Sequence, residues 1–364
     1  MSSDSEQELQ LIRERIDALD QEIQRLVTER ANHALEVARI KQQNSSDTQG
    51  FYRPEREIEI LRSISERNDG PLDDDALTRI FREIMSACLA LQQPITVAYL
   101  GPEGTYTQSA VEKHFGHSVR TLPLRAVDEI FREVEAGAAQ FGVVAVENST
   151  EGAVSHTLDM FLNSPLRICG DVELKIHHNL LSCAKNYASV RTIYAHQQAL
   201  AQCREWLDAN LMQAERVDAT SNGEAARLAM KRDDCAAIAG ENAAMLYSLK
   251  VLAKNIEDEP GNTTRFLIIG TQAVLPSGKD KTSLLLSAHN KPGALHRLLE
   301  PLARHGISMS RIESRPSRRG TWDYVFFIDI EGHEQDETVK QALEELHQEA
   351  SLLKVLGSYP RADN

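Results

Sequence analysis

The sequence predicts a multidomain chain that joins three fold classes: an all-α segment, an α/β segment and an α+β segment. Three observations carry this. Gln7 to Gln49 holds neither Gly nor Pro and repeats apolar residues at helical spacing. From Ile95 onward, short β-rich runs alternate with helical stretches. From Lys281 the alternation tightens into the order βαββαβ, a ferredoxin-like plait. A chain of 364 residues has room for two or three domains. Breakers and polar residues at Gln92-Gln93-Pro94 and across residues 273–280 mark the joints. The expected domains are therefore 1–93, 94–273 and 274–364.

In the first segment Leu9, Ile12, Ile16, Leu19, Ile23 and Leu26 alternate three and four residues apart, and the register continues through Arg30, His33, Val37 and Ile40. This is a heptad seam on one helix from about Gln7 to Gln43. So long a helix cannot cover its seam within a small helical domain, so a homodimer, or a higher homo-oligomer, is expected around it. Arg30 interrupts the seam. A buried guanidinium needs a partner, either a carboxylate of the protein, solvent reached by snorkelling, or an anionic ligand. Arg13 and Lys41 lie on the flank. Arg13 and Arg30 are 17 residues apart, about 25 Å along the axis. One chain cannot close both on one small molecule. Two antiparallel helices can bring Arg13 of one chain beside Arg30 and Lys41 of the other.

A second helix is expected through Ile58, Leu61 and Ile64, after Phe51-Tyr52-Arg53-Pro54-Glu55-Arg56-Glu57. A third runs through Leu77, Ile80, Phe81, Ile84, Leu89 and Leu91 to Gln92. The ordered set Arg13, Arg30, Lys41, Arg56-Glu57 and Gln92 resembles the all-helical chorismate mutase domain over about residues 5–93. The resemblance implies conversion of chorismate to prephenate, a pericyclic step that needs positioning and charge stabilisation but no nucleophile. It implies that Arg13 and Arg30 hold carboxylates, Lys41 and Gln92 donate to the ether oxygen, Glu57 engages the ring hydroxyl and Arg56 supports the site. Two positions depart from the family: Arg53 stands where an acidic residue is usual, and Cys88, expected to line the pocket, replaces a serine.

In the second segment Ile95–Leu100 reads as a strand, followed by the turn Gly101-Pro102-Glu103-Gly104-Thr105 and a helix. The turn is either a generic βα connection or a helix N-terminus suited to an anion. Phe141–Val146 reads as a buried strand that delivers Glu147-Asn148-Ser149-Thr150 to its C-terminal end, where open α/β sheets bind ligands. Ser149 or Thr150 can equally serve as simple caps. Arg191–Ala195 leads into a helix with Gln202, and Asn262-Thr263-Thr264-Arg265-Phe266 precedes a strand at Leu267–Ile269. These motifs in this order resemble prephenate dehydratase over about residues 95–272. The resemblance implies two α/β lobes flanking a cleft, like a periplasmic binding protein. It also implies decarboxylation and dehydration of prephenate to phenylpyruvate. Thr264 is then the hydroxyl near the leaving group. Asn148, Ser149, Gln202, Arg265 and Phe266 are expected substrate contacts, with Arg265 helping to hold an anion. His177-His178, taken as neighbours on a strand, point to opposite faces and do not suit one metal ion. No cofactor and no metal are expected.

In the third segment, the strand Thr282–Leu286 leads to Asn290-Lys291-Pro292-Gly293-Ala294-Leu295 at the start of a helix. Strands over 307–313 and 324–330, a helix over 338–349 and a strand over 353–357 follow. Gly293-Ala294-Leu295-His296 and Glu313-Ser314-Arg315-Pro316 resemble the ligand motifs of the phenylalanine-responsive ACT domain. Gly293 allows close backbone approach at a helix N-terminus, where a carboxylate can sit, and Glu313 can meet an ammonium.

Charge and composition bound the remaining function classes. The formal net charge is -14, from 54 acidic and 40 basic residues. That balance disfavours nucleic acid or an anionic membrane as partner. Five scattered cysteines without a C-x-x-C read as reduced thiols. With a polar, acidic N-terminus, they point to a cytoplasmic protein. The expectation is a bifunctional chorismate mutase–prephenate dehydratase that responds to phenylalanine. The alternatives are a dehydratase with an inactive mutase domain, kept alive by Arg53 and Cys88, and a non-catalytic amino-acid-sensing binding protein.

Overall fold

The computed structural model describes residues 3–43, 52–288, 291–316 and 324–361. Phe51 and Asn290, which belong to motifs quoted above, lie outside them. Compactness divides the chain into two units. One comprises Met1–Arg53, Leu61–Pro94 and Gly116–Val119, and the other Pro54–Ile60, Ile95–Phe115 and Arg120–Asn364.

Helix α1 spans Ser3–Gln43, a run of 41 residues, or about 60 Å. It begins four residues before the seam suggests, because Asp4 and Glu6 favour a helix N-terminus. Helix α2 (Pro54–Glu66) opens on a proline, whose missing N–H costs nothing there. Helix α3 (Asp74–Gln92) is capped by Asp73, which accepts from the Ala76 amide at 2.7 Å. Helices α1 and α3 pack together, yet most of the α1 seam remains exposed. Leu19 is 62% and Ile23 57% accessible.

The α/β segment forms two lobes. The first contains β1 (Thr96–Leu100), α4 (Tyr106–Phe115), β2 (Arg120–Leu124), α5 (Val127–Glu135), β3 (Phe141–Asn148), β4 (Gly152–Ala153), α6 (Ser155–Met160) and β5 (Arg167–Lys175). The second contains β6 (Asn179–Ser182), β7 (Thr192–Ala195), α7 (Gln197–Gln202), α8 (Arg204–Asn210), β8 (Glu215–Asp218), α9 (Asn222–Ala229), β9 (Cys235–Ala239), α10 (Glu241–Leu246) and β10 (Lys250–Ala253). The chain then returns to the first lobe as β11 (Thr263–Gly270). The sheet orders are β2-β1-β3-β11-β5 and β10-β6-β9-β7-β8. Two crossings therefore join the lobes, β5 to β6 and β10 to β11.

Strand β11 begins at Thr263, so Thr264, Arg265 and Phe266 lie inside the strand and not before it. The polar start of the run hid this. His177 and His178 fall between β5 and β6, not on a strand.

The plait consists of β12 (Asp280–Ser287), α11 (Ala294–Arg304), β13 (Met309–Pro316), β14 (Tyr324–Glu331), α12 (Glu337–Glu349) and β15 (Leu352–Pro360). Its order β13-β14-β12-β15 is the ferredoxin-like one. Strand β13 starts two residues later than expected and runs through the whole Glu-Ser-Arg-Pro stretch. The plait shares a core with the first lobe. Ile168, Leu267 and Ile269 pack in one cluster with Leu285, Phe327, Leu356 and Tyr359. Gly357 permits that approach, since a Cβ there would sit 2.2 Å from the Ile168 carbonyl oxygen.

Candidate active sites and effector site

The register of β3 and β11 sets Thr264 directly opposite Asn148. The two side chains share a face, and Asn148 Nδ2 donates to Thr264 Oγ1 at 2.8 Å. The same Nδ2 donates to Asn262 Oδ1 at 2.8 Å. Asn148 Oδ1 accepts from the amides of Thr150 and Glu151 at 3.0 and 3.1 Å. Ser149 ties the two segments together. Its amide donates to the Thr263 carbonyl at 2.8 Å, and its hydroxyl accepts from the Thr263 amide at 2.9 Å. Asn262 Nδ2 reaches Gln202 Oε1 at 3.4 Å, and His178 Nε2 lies 2.8 Å from that oxygen. Tyr106 Oη lies 2.8 Å from His178 Nδ1. A continuous polar chain thus runs from Thr264 on the first lobe to Gln202 on the second, past both crossings.

Thr264 and Asn262 are nearly buried, and His178 is 3% accessible. Burial holds the imidazole below its ordinary pKa, against the opposing pull of the Gln202 hydrogen bond and the Glu257 carboxylate. Glu257 caps this corner, accepting from the His178 amide at 2.9 Å and lying 2.8 Å from His177 Nδ1. Its own burial would raise its pKa, but the His177 contact and two backbone amides outweigh that and leave it lowered.

Arg265 does not join this chain. Alternation along β11 turns it away from Thr264. Its guanidinium donates to Asp171 at 3.0 Å, to Asp329 at 2.5 Å and to the Tyr359 hydroxyl at 3.0 Å. Lys281 pairs with Asp171 at 2.9 Å, and Ser283 donates to Asp329 at 2.5 Å. Arg265 is thereby committed to the plait, not to an anion in the cleft. Phe266 is 2% accessible and packs in the interior.

Arg13, Arg30 and Lys41 lie on α1, Arg56 and Glu57 in the first turn of α2, and Cys88 and Gln92 in the last turns of α3. Cys88 is buried and Arg56 pairs with Glu59 at 3.0 Å. Among the described residues no cluster of His, Cys, Asp and Glu is arranged to hold a metal ion, and no helix is long and apolar enough to cross a membrane.

In the plait, Gly293 caps α11 at φ +76°, a conformation that favours glycine, and Ala294 and Leu295 form the first helical turn. On β13, Glu313 and Arg315 share one face and Ser314 the other. Arg315 is turned to the first lobe, where it pairs with Asp159 at 3.2 Å. Arg311 on the same face pairs with Glu147 at 2.7 Å.

Three family models match the chain: chorismate mutase type II over residues 12–93, prephenate dehydratase over 97–274 and the ACT domain over 282–348. A protein of Stutzerimonas stutzeri named bifunctional chorismate mutase/prephenate dehydratase is 57% identical over 358 residues, covering 98% of each chain. The chain belongs to the bifunctional chorismate mutase/prephenate dehydratase family.

Two solved structures resemble this family member with similar strength. The prephenate dehydratase from Arthrobacter aurescens in complex with L-Phe is 35% identical, has a TM-score of 0.68 and covers 74% of this chain and 91% of its own. GqqA, described as a novel type of quorum-quenching acylase, is 30% identical, has a TM-score of 0.67 and covers 73% and 98%. The fold therefore does not by itself fix the chemistry. Within the dehydratase segment, sequence reasoning passed over Asn262, His178 and Tyr106 as site residues. Asn262 and Tyr106 stand inside the motifs that were read. His178 gives no signal beyond its own ring, because its partners are 72 and 24 residues away in sequence.

Proposed function

We propose that the chain converts chorismate to prephenate on its helical segment (1–93) and prephenate to phenylpyruvate in the two-lobed segment (94–273). The plait (274–364) is the sensor that restrains the second reaction when phenylalanine binds. The observation that carries the dehydratase reading is the Asn148–Thr264 hydrogen bond. Thr264 Oγ1 accepts from Asn148, so its own O–H is free to donate. A threonine is a poor acid in water, but an oriented hydroxyl can assist a departing hydroxyl as aromatisation drives loss of CO2 and water. Asn148, Asn262 and Gln202 supply the polar frame, and Ser149 locks the loop that presents Asn148.

For the mutase, the exposed α1 seam supports a homodimer, with Arg13 of one chain joining Arg30 and Lys41 of the other. Glu57 and Arg56 are assigned to the ring hydroxyl and its support, Gln92 and Lys41 to the ether oxygen, and Cys88 to the pocket wall. For the sensor, Gly293, Ala294 and Leu295 supply a helix N-terminus for the effector's carboxylate, and Glu313 a carboxylate for its ammonium. The L-Phe complex of the Arthrobacter relative supports phenylalanine as that effector. The free thiols support a reducing, cytoplasmic setting.

The deciding experiment supplies chorismate and prephenate separately and follows phenylpyruvate. Product from both is expected. Product from prephenate alone would leave a dehydratase with an inactive mutase domain, and product from neither would leave an amino-acid-sensing binding protein.

A further inference from the structure

We propose that His178 is a positioning residue of the dehydratase cleft: as the Nε2–H tautomer it holds the Gln202 carboxamide so that Gln202 Nε2 presents its hydrogens to an anionic or carbonyl oxygen of the substrate. This rests on the reading of the cleft as the prephenate site and adds residues to it.

The hydrogen-bond directions follow from one fixed point. The amides of Thr150 and Glu151 can only donate, so the Asn148 atom they meet is its oxygen. Asn148 Nδ2 then faces Thr264 and Asn262, which makes the Asn262 atom at 2.8 Å its oxygen. Asn262 Nδ2 in turn faces Gln202, so the Gln202 atom there is Oε1. His178 Nε2 lies 2.8 Å from that same oxygen and must carry a hydrogen. Tyr106 Oη lies 2.8 Å from both His178 Nδ1 and the His177 carbonyl oxygen, so with the ring neutral in its buried setting Nδ1 is bare and shares the one tyrosine hydrogen with that carbonyl. Each assignment forces the next, from two backbone amides on the first lobe to Nε2 of His178.

The end product of this ordering is a donor without an acceptor. Gln202 Nε2 is buried and has no hydrogen-bond partner among the described residues. Buried donors in native proteins are almost always satisfied, and one that is not needs a reason. Here Oε1 is taken by His178 and Asn262, which aims Nε2 away from both. Prephenate offers two carboxylates, a keto oxygen and a hydroxyl, any of which accepts such a bond.

Three measurements on the full-length protein test this, with mutase turnover on chorismate as the internal control for folding. His178→Leu removes the donor and should lower dehydratase kcat/KM on the order of tenfold or more. His178→Gln retains an N–H near the position of Nε2 and should recover most of that loss. Nitrogen NMR of the histidine-labelled protein at neutral pH should show His178 protonated at Nε2 and bare at Nδ1. Unchanged kcat/KM in His178→Leu would overturn the proposal. Equal losses in both variants with the mutase intact would reduce His178 to a filler of space, and an Nδ1–H ring would break the chain of assignments. If the wild-type protein does not turn over prephenate, the site reading itself fails, which is a separate outcome.

Discussion

Arg265 on β11 donates from Nη1 to Oδ2 of Asp329 on β14 at 2.5 Å, which ties the strand carrying Thr264 to the plait. Arg265, Lys281, Asp171 and Asp329 form a charge-balanced group with little access to solvent. Removing one member of such a group leaves another charge buried without compensation, at about 3–5 kcal/mol. Arg265→Met should therefore lower the unfolding temperature of the dehydratase–plait transition by several degrees in calorimetry. Mutase activity should persist. A melting profile like that of the wild type would show that the group contributes nothing to stability.

The same junction predicts acid sensitivity. Burial alone would raise the Asp329 pKa, but Arg265, the Ser283 hydroxyl and Lys281 outweigh it and hold the carboxyl below its ordinary value. Its contribution is present above about pH 4 and is lost as pH falls through the lower folded value. His178 acts in the same direction at higher pH. Its folded pKa is depressed, so its contribution is present above about pH 6.5 and is lost as pH falls through the folded value. The slope of melting temperature against pH between 7 and 5 should be shallower in His178→Gln than in the wild type. Identical slopes would mean that His178 titrates normally.

Arg311 and Glu147 form the second tie, at 2.7 Å. Glu147 precedes Asn148 on β3, and Arg311 lies two residues before Glu313 on β13. If phenylalanine binds the plait as proposed and shifts β13, that shift bears on the residue next to Asn148. Arg311→Gln should weaken inhibition by phenylalanine several-fold while leaving uninhibited dehydratase turnover within about twofold, since Glu147 stays solvated and keeps its carboxylate hydrated when the guanidinium is removed. Full inhibition curves on both proteins decide this. Superimposable curves would remove Arg311 from the coupling.

Arg265 also shows where sequence reading stops. The order of elements, the three fold classes and the Asn148, Thr264 and Gln202 grouping were legible, because heptad spacing, β-rich runs and strand-end motifs are local patterns. The side to which Arg265 points was not. That depends on where β11 starts, and a polar start gave no reason to extend the strand to Thr263. A one-residue change in phase exchanges the cleft face for the plait face. His178 was illegible for a different reason: its role comes from Tyr106 and Gln202, which only tertiary folding brings to its two ring nitrogens.

Thr264 is the residue on which dehydratase chemistry is staked. Thr264→Val keeps the shape and removes the hydroxyl, and should reduce dehydratase kcat by about 100-fold or more. Thr264→Ser should retain much of the rate, because the Asn148 donor still finds an oxygen. Mutase turnover should not change in either. A valine variant within a few-fold of wild type would exclude the hydroxyl from the reaction.

The exposed α1 seam leads to a prediction that joins assembly to catalysis. Leu9, Ile12, Ile16, Leu19, Ile23 and Leu26 each expose about half of their surface in a single chain, which calls for a partner helix. If two α1 helices pair antiparallel, each mutase site draws Arg13 from one chain and Arg30 from the other. Arg13→Ala and Arg30→Ala homodimers should both lose mutase activity. After the two are mixed and allowed to exchange subunits, a heterodimer carries both substitutions in one site and neither in the other. Random exchange makes half the dimers mixed, each with one intact site, so about one quarter of wild-type mutase activity should return. Sedimentation with Leu19→Glu should show the dimer weakened in parallel. Mixing that restores nothing, with exchange verified, would place both arginines in a site built by one chain, which the span of about 25 Å between them opposes.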